Sequence, residues 1–145
     1  MEYDITNLCL EIARKGFLYV NEEIKRKGIV KEEILLIIVI GKMKEVTLEE
    51  ITRHFNFEKK ELTENLQNLV RNGFMEIDNI EESKDIYRLT NDKGQKTFKE
   101  ICELLKHYNQ IIMQEVNEMD LDITYTTLLK IKENMDTYIG SEIMN

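Results

Sequence analysis

The 145-residue chain is long enough for one domain with a proper core and too short for two to be assumed. Its hydrophobic content of 42% and charged content of 33%, with no proline, exclude a disordered chain and favour helices. The net charge of −8 counts against a nucleic-acid partner, because phosphate neutralisation supplies most non-specific affinity.

The compartment is indicated by the cysteines and by the first residues. Cys9 and Cys102 are too few for a disulfide framework, and the opening MEYDITN lacks the apolar core of a signal peptide. The most apolar run, Ile34 to Ile40, is far shorter than the ~20 residues that span a bilayer. A reducing cytoplasm is therefore expected.

Two apolar segments open the chain. Ile5 to Ile24 repeats apolar residues at the helical spacing of three and four, which predicts a helix closed by Gly28. Its apolar face is broad, so it either packs only in a core or also faces a second subunit. The next segment, 31–43, predicts a central buried helix, with a buried strand as the alternative.

A helix-turn-helix pattern follows. Thr47-Leu48-Glu49-Glu50 is a capping box that predicts a short helix, TLEEITRHF, with Leu48, Ile51 and Phe55 facing inward. Asn56 suits the turn, and Gly73 ends a second helix from about Glu58 to Asn72. This second helix would bury a leucine stripe formed by Leu62, Leu66 and Leu69.

The period then changes from helix to strand. Residues 74–79 alternate, 86–89 form a second short strand, and the polar loop between them predicts a β-hairpin wing. Beyond the wing, a long helix is predicted from Asn91 to Glu118, capped by Thr90 or Asn91. An acidic link, MDLDIT, is expected to precede the last helix.

These elements and their local motifs resemble the MarR family of winged helix-turn-helix transcriptional regulators. The matching residues of the reading helix and its end are Thr63, Leu69, Gly73 and Phe74, and those that end the wing are Leu89, Thr90, Lys93 and Gly94. The resemblance implies a homodimer held by the N-terminal helix and the last two helices, with a recognition helix in each major groove. It also implies a repressor released by a small aromatic ligand or by cysteine oxidation.

The expected fold class is accordingly mainly α (α+β), a winged helix-turn-helix with a small β-hairpin wing. Residues 1–145 form a single domain, with dimerisation helices in 1–28 and 91–145 and the DNA-binding region in 29–90. The chain departs from the family at the wing tip, Glu82-Ser83-Lys84-Asp85, where an arginine is usual, and at Glu64, which replaces another arginine.

The reading helix and the wing supply the candidate DNA contacts. Lysine, arginine and glutamine can pair with base edges, threonine with bases or phosphates, and glutamate with cytosine. The predicted DNA-binding residues are Lys59, Lys60, Thr63, Glu64, Gln67, Arg71, Lys84 and Arg88. Arg53, His54 and Thr47 are weaker candidates for phosphate contacts.

Other chemistry is not indicated by the sequence. Cys9 and Cys102 lie on apolar faces and are expected to be buried and inert. The histidines and cysteines have no metal-ligand spacing, and no phosphate loop or nucleophile motif is present. We expect no enzyme activity, no metal and no cofactor.

Two alternative functions remain open. The acidic wing favours a protein-interaction module that docks on a basic partner such as another regulator or the transcription machinery. Aromatic side chains could instead line a ligand cavity, as in a sensor that kept the scaffold. These side chains are Tyr3, Phe17, Tyr19, Tyr108, Tyr125 and Tyr138.

Overall fold

The computed structural model describes residues 2–54, 58–81 and 84–142, without the side chains of 54, 80, 81 and 139–142. The expectations for Phe55, Asn56 and the wing-tip residues Glu82 and Ser83 lie outside the described residues. The chain forms two compact units, Met1–Asn109 and Gln110–Asn145. Among the described residues, no helix combines the length and the hydropathy needed to cross a membrane.

The first two helices have the predicted bounds. Helix α1 spans Ile5–Ile24, and the Asp4 side chain caps it by accepting the Asn7 backbone N–H at 3.0 Å. A short 3-10 turn, Lys25–Lys27, leads to Gly28, whose φ of 76° is left-handed and ends the segment.

Helix α2, Lys31–Met43, is buried on most sides and forms the centre of the first unit. Its buried positions include a carboxylate, Glu33, which is 4% exposed. This carboxylate accepts the backbone N–H of Val30, the residue before the helix, while its Oε2 atom has no hydrogen-bond partner among the described residues. Burial raises the pKa of Glu33, because the charged form loses its hydration.

The helix-turn-helix begins at the predicted capping box. Thr47 Oγ1 accepts the Glu50 backbone N–H at 3.3 Å, and Glu50 Oε1 accepts the Thr47 backbone N–H at 3.4 Å. Helix α3 spans Leu48–His54, with Ile51 fully buried and Leu48 half-buried. Helix α4, Lys59–Arg71, follows and ends before Gly73, whose φ is 83°.

The wing is part of a three-stranded antiparallel sheet with the order β1-β3-β2. The strands are β1 (Val46–Thr47), β2 (Met75–Glu81) and β3 (Lys84–Leu89). The hairpin of β2 and β3 confirms the predicted wing, although both strands run further into the loop than expected. Strand β1 was not predicted, because two residues carry no periodicity and their partners lie forty positions away in sequence.

Thr90 connects the wing to the next helix, α5, which spans Lys93–Ile112. Its hydroxyl donates to the Gly73 carbonyl at 2.8 Å and accepts the Gly94 backbone N–H at 2.8 Å. A Cβ at Gly94 would collide with the Phe74 carbonyl oxygen, so the helix can approach this strand end only through a glycine.

A helix was predicted from Asn91 to Glu118, and its predicted C-terminal end is wrong. Helix α5 stops at Ile112, and Glu115 has a left-handed φ of 65° that no helix accommodates. The predicted acidic link is also wrong, because these residues belong to helix α6, Glu118–Glu142. The Asn117 side chain caps α6 at Met119, and the acidic residues of the first turn suit its positive end.

The core of the first unit is formed by fully buried aliphatic and aromatic side chains from α2, α3, α4 and the sheet, joined by the ends of α1 and α5. Its largest members are Phe74, Ile24, Ile34, Leu36, Ile37, Ile40, Ile51, Leu62, Leu66, Leu69, Met75 and Ile101. This core holds α4 and the wing in fixed positions.

Candidate nucleic-acid interface

The orientation of α4 is set by its leucine stripe. Leu62, Leu66 and Leu69 are completely buried, so the opposite face of the helix lies in solvent. The residues spaced by three and four along that face form one exposed row: Lys60, Glu64, Gln67 and Arg71. Lysine, glutamine and arginine supply donors and glutamate supplies an acceptor, which are the groups that can pair with base edges in a major groove.

Thr63 stands beside this row and is half-buried. Its hydroxyl donates to the Lys59 carbonyl of the preceding turn at 2.7 Å. The hydroxyl hydrogen is therefore engaged within α4, and what Thr63 offers outward is a methyl group and an acceptor lone pair.

Arg71 lies in the last turn of α4, where a cation suits the negative helix end. Its Nη1 donates to the Asn68 side-chain carbonyl at 3.4 Å, a long and exposed contact. Such a contact is weak, so the guanidinium remains accessible to a phosphate.

Arg88 is positioned differently from the other candidates. Its side chain is 28% exposed and is surrounded by three carboxylates, Glu45, Glu76 and Asp78. Arg88 Nη1 donates to Glu45 at 3.1 Å, Nη2 donates to Asp78, and Nε forms an ion pair with Glu76 at 3.4 Å. A phosphate contact from Arg88 would require these ion pairs to open.

The wing, α3 and α4 all contribute residues to a cavity of about 230 Å³. Lys84 enters it from the start of β3 and Lys59 from the first turn of α4, so the structure brings these two predicted residues together. Two carboxylates, Glu49 and Asp85, balance their charge. The lining residues are Thr47, Leu48, Glu49, Lys59, Lys84, Asp85 and Tyr87.

The weaker candidates on α3 are placed less favourably. The Thr47 hydroxyl is taken up by the capping box, in which it also donates to Glu50 Oε1 at 3.1 Å. Arg53 is exposed, and the His54 side chain lies outside the described residues.

The cysteines differ from the expectation. Cys9 is exposed, so its predicted burial is wrong for the single chain. Cys102 is half-buried, and burial raises the pKa of its thiol although the nearby Lys42 acts in the opposite direction. A raised thiol pKa makes Cys102 a poor nucleophile. Within the described ranges, no three histidine, cysteine or acidic side chains gather as a metal site.

The residues that the sequence reasoning missed are the partners of Arg88. Strand alternation places Glu76 and Asp78 on one face, and a pairing of β2 with β3 would have predicted that Arg88 faces them. Glu45 has no such local signal, because it reaches Arg88 only through the unpredicted strand β1.

No family model matches the chain, and no curated protein matches it. Solved structures do match over almost the whole length. A MarR-family regulator from Listeria monocytogenes, described as putative and complexed with a 26mer DNA, is 19% identical, with 97% of each chain covered and a TM-score of 0.79.

Two further structures agree with this one. A MarR regulator from Methanosarcina mazei Go1 is 17% identical, with 92% of this chain and 95% of that chain covered and a TM-score of 0.80. A structure described as MarR is 16% identical, with 97% of each chain covered and a TM-score of 0.84. The chain therefore has a MarR-like winged-helix fold with flanking helices, as the sequence resemblance implied.

Proposed function

We propose that this protein is a homodimeric transcriptional regulator that binds double-stranded DNA in a sequence-specific manner, most simply as a repressor. The observation that carries the proposal is the exposed row of Lys60, Glu64, Gln67 and Arg71 on α4, held outward by the buried leucine stripe. Lys59 and Lys84 extend the cationic surface from α4 to the wing. The Listeria monocytogenes structure with the same fold contains DNA.

The homodimer is supported by apolar surface on each of two helices. Helix α1 exposes Ile5, Leu8, Leu10, Ile12 and Leu18, each at least 40% accessible. Helix α6 exposes a comparable set: Met119, Ile123, Tyr125, Leu128, Leu129, Ile131, Met135 and Tyr138. Exposed apolar side chains in this number favour an interface, and a second copy of the chain is the occupant that the proposal assigns.

The cytoplasm is the compartment that we assign to this regulator. Its two cysteines are free thiols, which suits a reducing environment.

Two aromatic residues of the first unit, Tyr19 and Tyr108, are used in packing, whereas Tyr3 is 73% exposed. Tyr108 donates its hydroxyl to the Ile12 carbonyl at 2.9 Å, its ring contacts Gly16, and its centroid lies 5.8 Å from that of Tyr19. These contacts join α1 to α5. The proposal therefore assigns these rings a structural role, and release by a small aromatic ligand gains no support from them.

A protein-interaction module is the second candidate. It is favoured by the outer face of the wing sheet, where Glu45, Glu76 and Asp78 outnumber Arg88. A basic partner would complement this face. Co-purification of a stoichiometric protein with no retention of DNA would support this candidate over the regulator.

The regulator is tested by titrating a labelled duplex of the region upstream of its own gene at several salt concentrations. We expect affinity to fall steeply with salt, because cations on α4 and the wing release counterions from phosphates. The substitution Lys60→Ala should weaken binding and lower the log–log salt slope by about 1 if this lysine contacts a phosphate.

The matched control is Lys99→Ala, which removes an exposed lysine from α5 and should leave both affinity and slope unchanged. Equal binding of the upstream duplex and an unrelated duplex contradicts sequence specificity. A complete lack of binding at low salt contradicts the regulator itself.

A further inference from the structure

The Arg88 cluster is the one group of ion pairs among the described residues in which a single cation meets three carboxylates. The pairs along the helices, such as Lys25–Glu22 and Lys132–Asp136, join neighbouring turns, and their side chains are more than half exposed. Surface pairs of that kind contribute little. Arg88 instead joins three carboxylates from two other segments of the chain, and its side chain is 28% exposed while the carboxylates are about half exposed.

The strand register explains the cluster. Arg88 lies opposite Glu76 on β2, and Asp78 is the next residue of β2 on the same face of the sheet. On the other side of β3, the pairing of Val46 with Tyr87 brings Glu45 beside Arg88. Because β3 is the middle strand, one guanidinium connects both neighbouring strands.

The connection to Glu45 matters because β1 is so short. Only Val46 and Thr47 pair with β3 in the described ladder, and Thr47 also caps α3. The base of the hairpin is packed in the core through Met75, Tyr87 and Leu89. On the β1 side, the two paired residues and the Arg88–Glu45 contact add to this packing. A charge-assisted hydrogen bond of this kind is stronger than a neutral one.

We propose that Arg88 is a positioning residue for DNA binding, and that it acts with Glu45 by holding the wing so that Lys84 stays beside Lys59. This inference rests on the proposed function, and it replaces the prediction that Arg88 itself contacts DNA. The geometry that carries it is the three-carboxylate cluster together with the cavity that Lys59 and Lys84 share.

The direction in which one substitution changes DNA affinity distinguishes a positioning role of Arg88 from a direct contact with DNA. Glu45→Gln removes a negative charge, and simple electrostatics predicts tighter binding to a polyanion. If Glu45 anchors the wing through Arg88, the same substitution weakens binding, because the wing loses its anchor. The two hypotheses therefore predict opposite changes in affinity.

The experiment uses the full chain and compares Glu45→Gln, Arg88→Gln and the double variant on a labelled duplex of the region upstream of its own gene. We expect each single variant to lose about tenfold in affinity, which corresponds to about 1.4 kcal/mol. The double variant should be no weaker than either single one, since both remove the same connection. Glu103→Gln, which replaces an exposed carboxylate of α5 outside the cluster and outside the proposed DNA-binding surface, is the matched control and should not weaken binding.

A second comparison links the effect to Lys84. In a Lys84→Ala background, Glu45→Gln and Arg88→Gln should have no further effect on affinity, because the residue that they position is gone. Arg88→Lys should behave like Arg88→Gln, since a lysine cannot hold several carboxylates in a fork geometry. A phosphate contact, by contrast, would be largely restored by lysine.

Local structure provides an independent readout. Amide hydrogen exchange of Tyr87 should speed up in Glu45→Gln and Arg88→Gln, while exchange in the buried helix α2 stays unchanged. This pattern shows that the variants fold and that the change is confined to the wing.

The outcomes are distinct. The positioning role is overturned if Glu45→Gln binds the duplex as tightly as the parent or more tightly, or if Arg88→Lys keeps the affinity of the parent. Either result leaves the proposed function intact. If the unsubstituted protein binds no duplex, the proposed function fails and the positioning role fails with it. Loss of affinity in both single variants without additivity supports the proposal.

Discussion

At the scale of single residues, Glu33 has the clearest consequence for stability. Its side chain is buried, and one of the carboxylate oxygens has no partner among the described residues. The pKa of Glu33 in the folded protein is raised above the ordinary value of 4.5. The folded state therefore holds this proton more tightly than the unfolded state does.

A pH trend in stability follows from this shift. The free energy of unfolding should fall as pH rises above about 4.5 through the folded pKa, because the unfolded chain releases the proton first. Glu33→Gln cannot titrate, so it should remove this decline and be more stable than the parent by about 1 kcal/mol at neutral pH. Urea unfolding at several pH values would measure the difference.

The control for this prediction is Glu61→Gln, which replaces an exposed carboxylate on α4 and should change stability by less than about 0.5 kcal/mol. A constant difference between Glu33→Gln and the parent from acid to neutral pH would contradict the proposed titration of Glu33.

At this scale, the exposed residues could be predicted from the sequence, but the hydrogen-bond and ion-pair partners of individual side chains could not. The exposed row on α4 was predictable, because the leucine stripe fixes which residues lie opposite it. The hydrogen bond from Thr63 to its own helix and the ion pairs of Arg88 depend on rotamers and on distant strands. No local pattern indicates them.

At the scale of elements, the contact between α5 and the base of the wing hairpin depends on Gly94. A Cβ at this position would collide with the Phe74 carbonyl and crowd Leu89 and Thr90. We expect Gly94→Ala to destabilise the protein by about 3 kcal/mol, because backbone cannot move away as a flexible side chain can. Thermal or urea unfolding would measure this loss.

Gly28→Ala serves as the comparison. Gly28 has a left-handed φ of 76°, but its Cβ would meet nothing within 4 Å. Only conformational strain remains, so the loss should be about 1 kcal/mol. Equal losses at the two positions would contradict the steric explanation for Gly94.

The first and last residues of the helices were predictable where a capping residue or a glycine marks them in the sequence. Helices α1 and α2 begin and end as predicted, and the capping box at Thr47 forms as expected. The end of α5 was missed because apolar spacing continues through the turn at Glu115, whose left-handed backbone has no glycine to signal it. The spacing of apolar residues indicates which face of a helix is buried, but it does not indicate where the helix ends.

At the scale of the whole molecule, the proposed homodimer depends on apolar side chains that are exposed in one chain. Leu8 and Ile123 are 55% and 62% accessible, so a glutamate at either position costs the single chain little. In a dimer, the same glutamate would be buried without a partner. We expect Leu8→Glu and Ile123→Glu to weaken dimerisation at least about tenfold.

Sedimentation would measure this against the 17.3 kDa of one chain. The control is Ile77→Glu, an apolar residue of the wing strand β2 that is 43% exposed and lies outside the proposed interface. A parent protein that sediments as a single chain at micromolar concentration would contradict the homodimer.

The architecture was the most predictable level, because cap, stripe, glycine stop and strand pair all favour one fold. The solved structures confirm that fold at low sequence identity. The arrangement of the wing charges could not be predicted without the strand register.

The wing sheet has one further consequence, for aggregation. A sheet edge with unpaired backbone groups can recruit a strand from another molecule. Here one edge strand is β1, which at two residues is too short to pair with a strand of another molecule. The other edge strand is β2, which carries Glu76 and Asp78. The carboxylates of β2 therefore also protect the hairpin from fibril-like association.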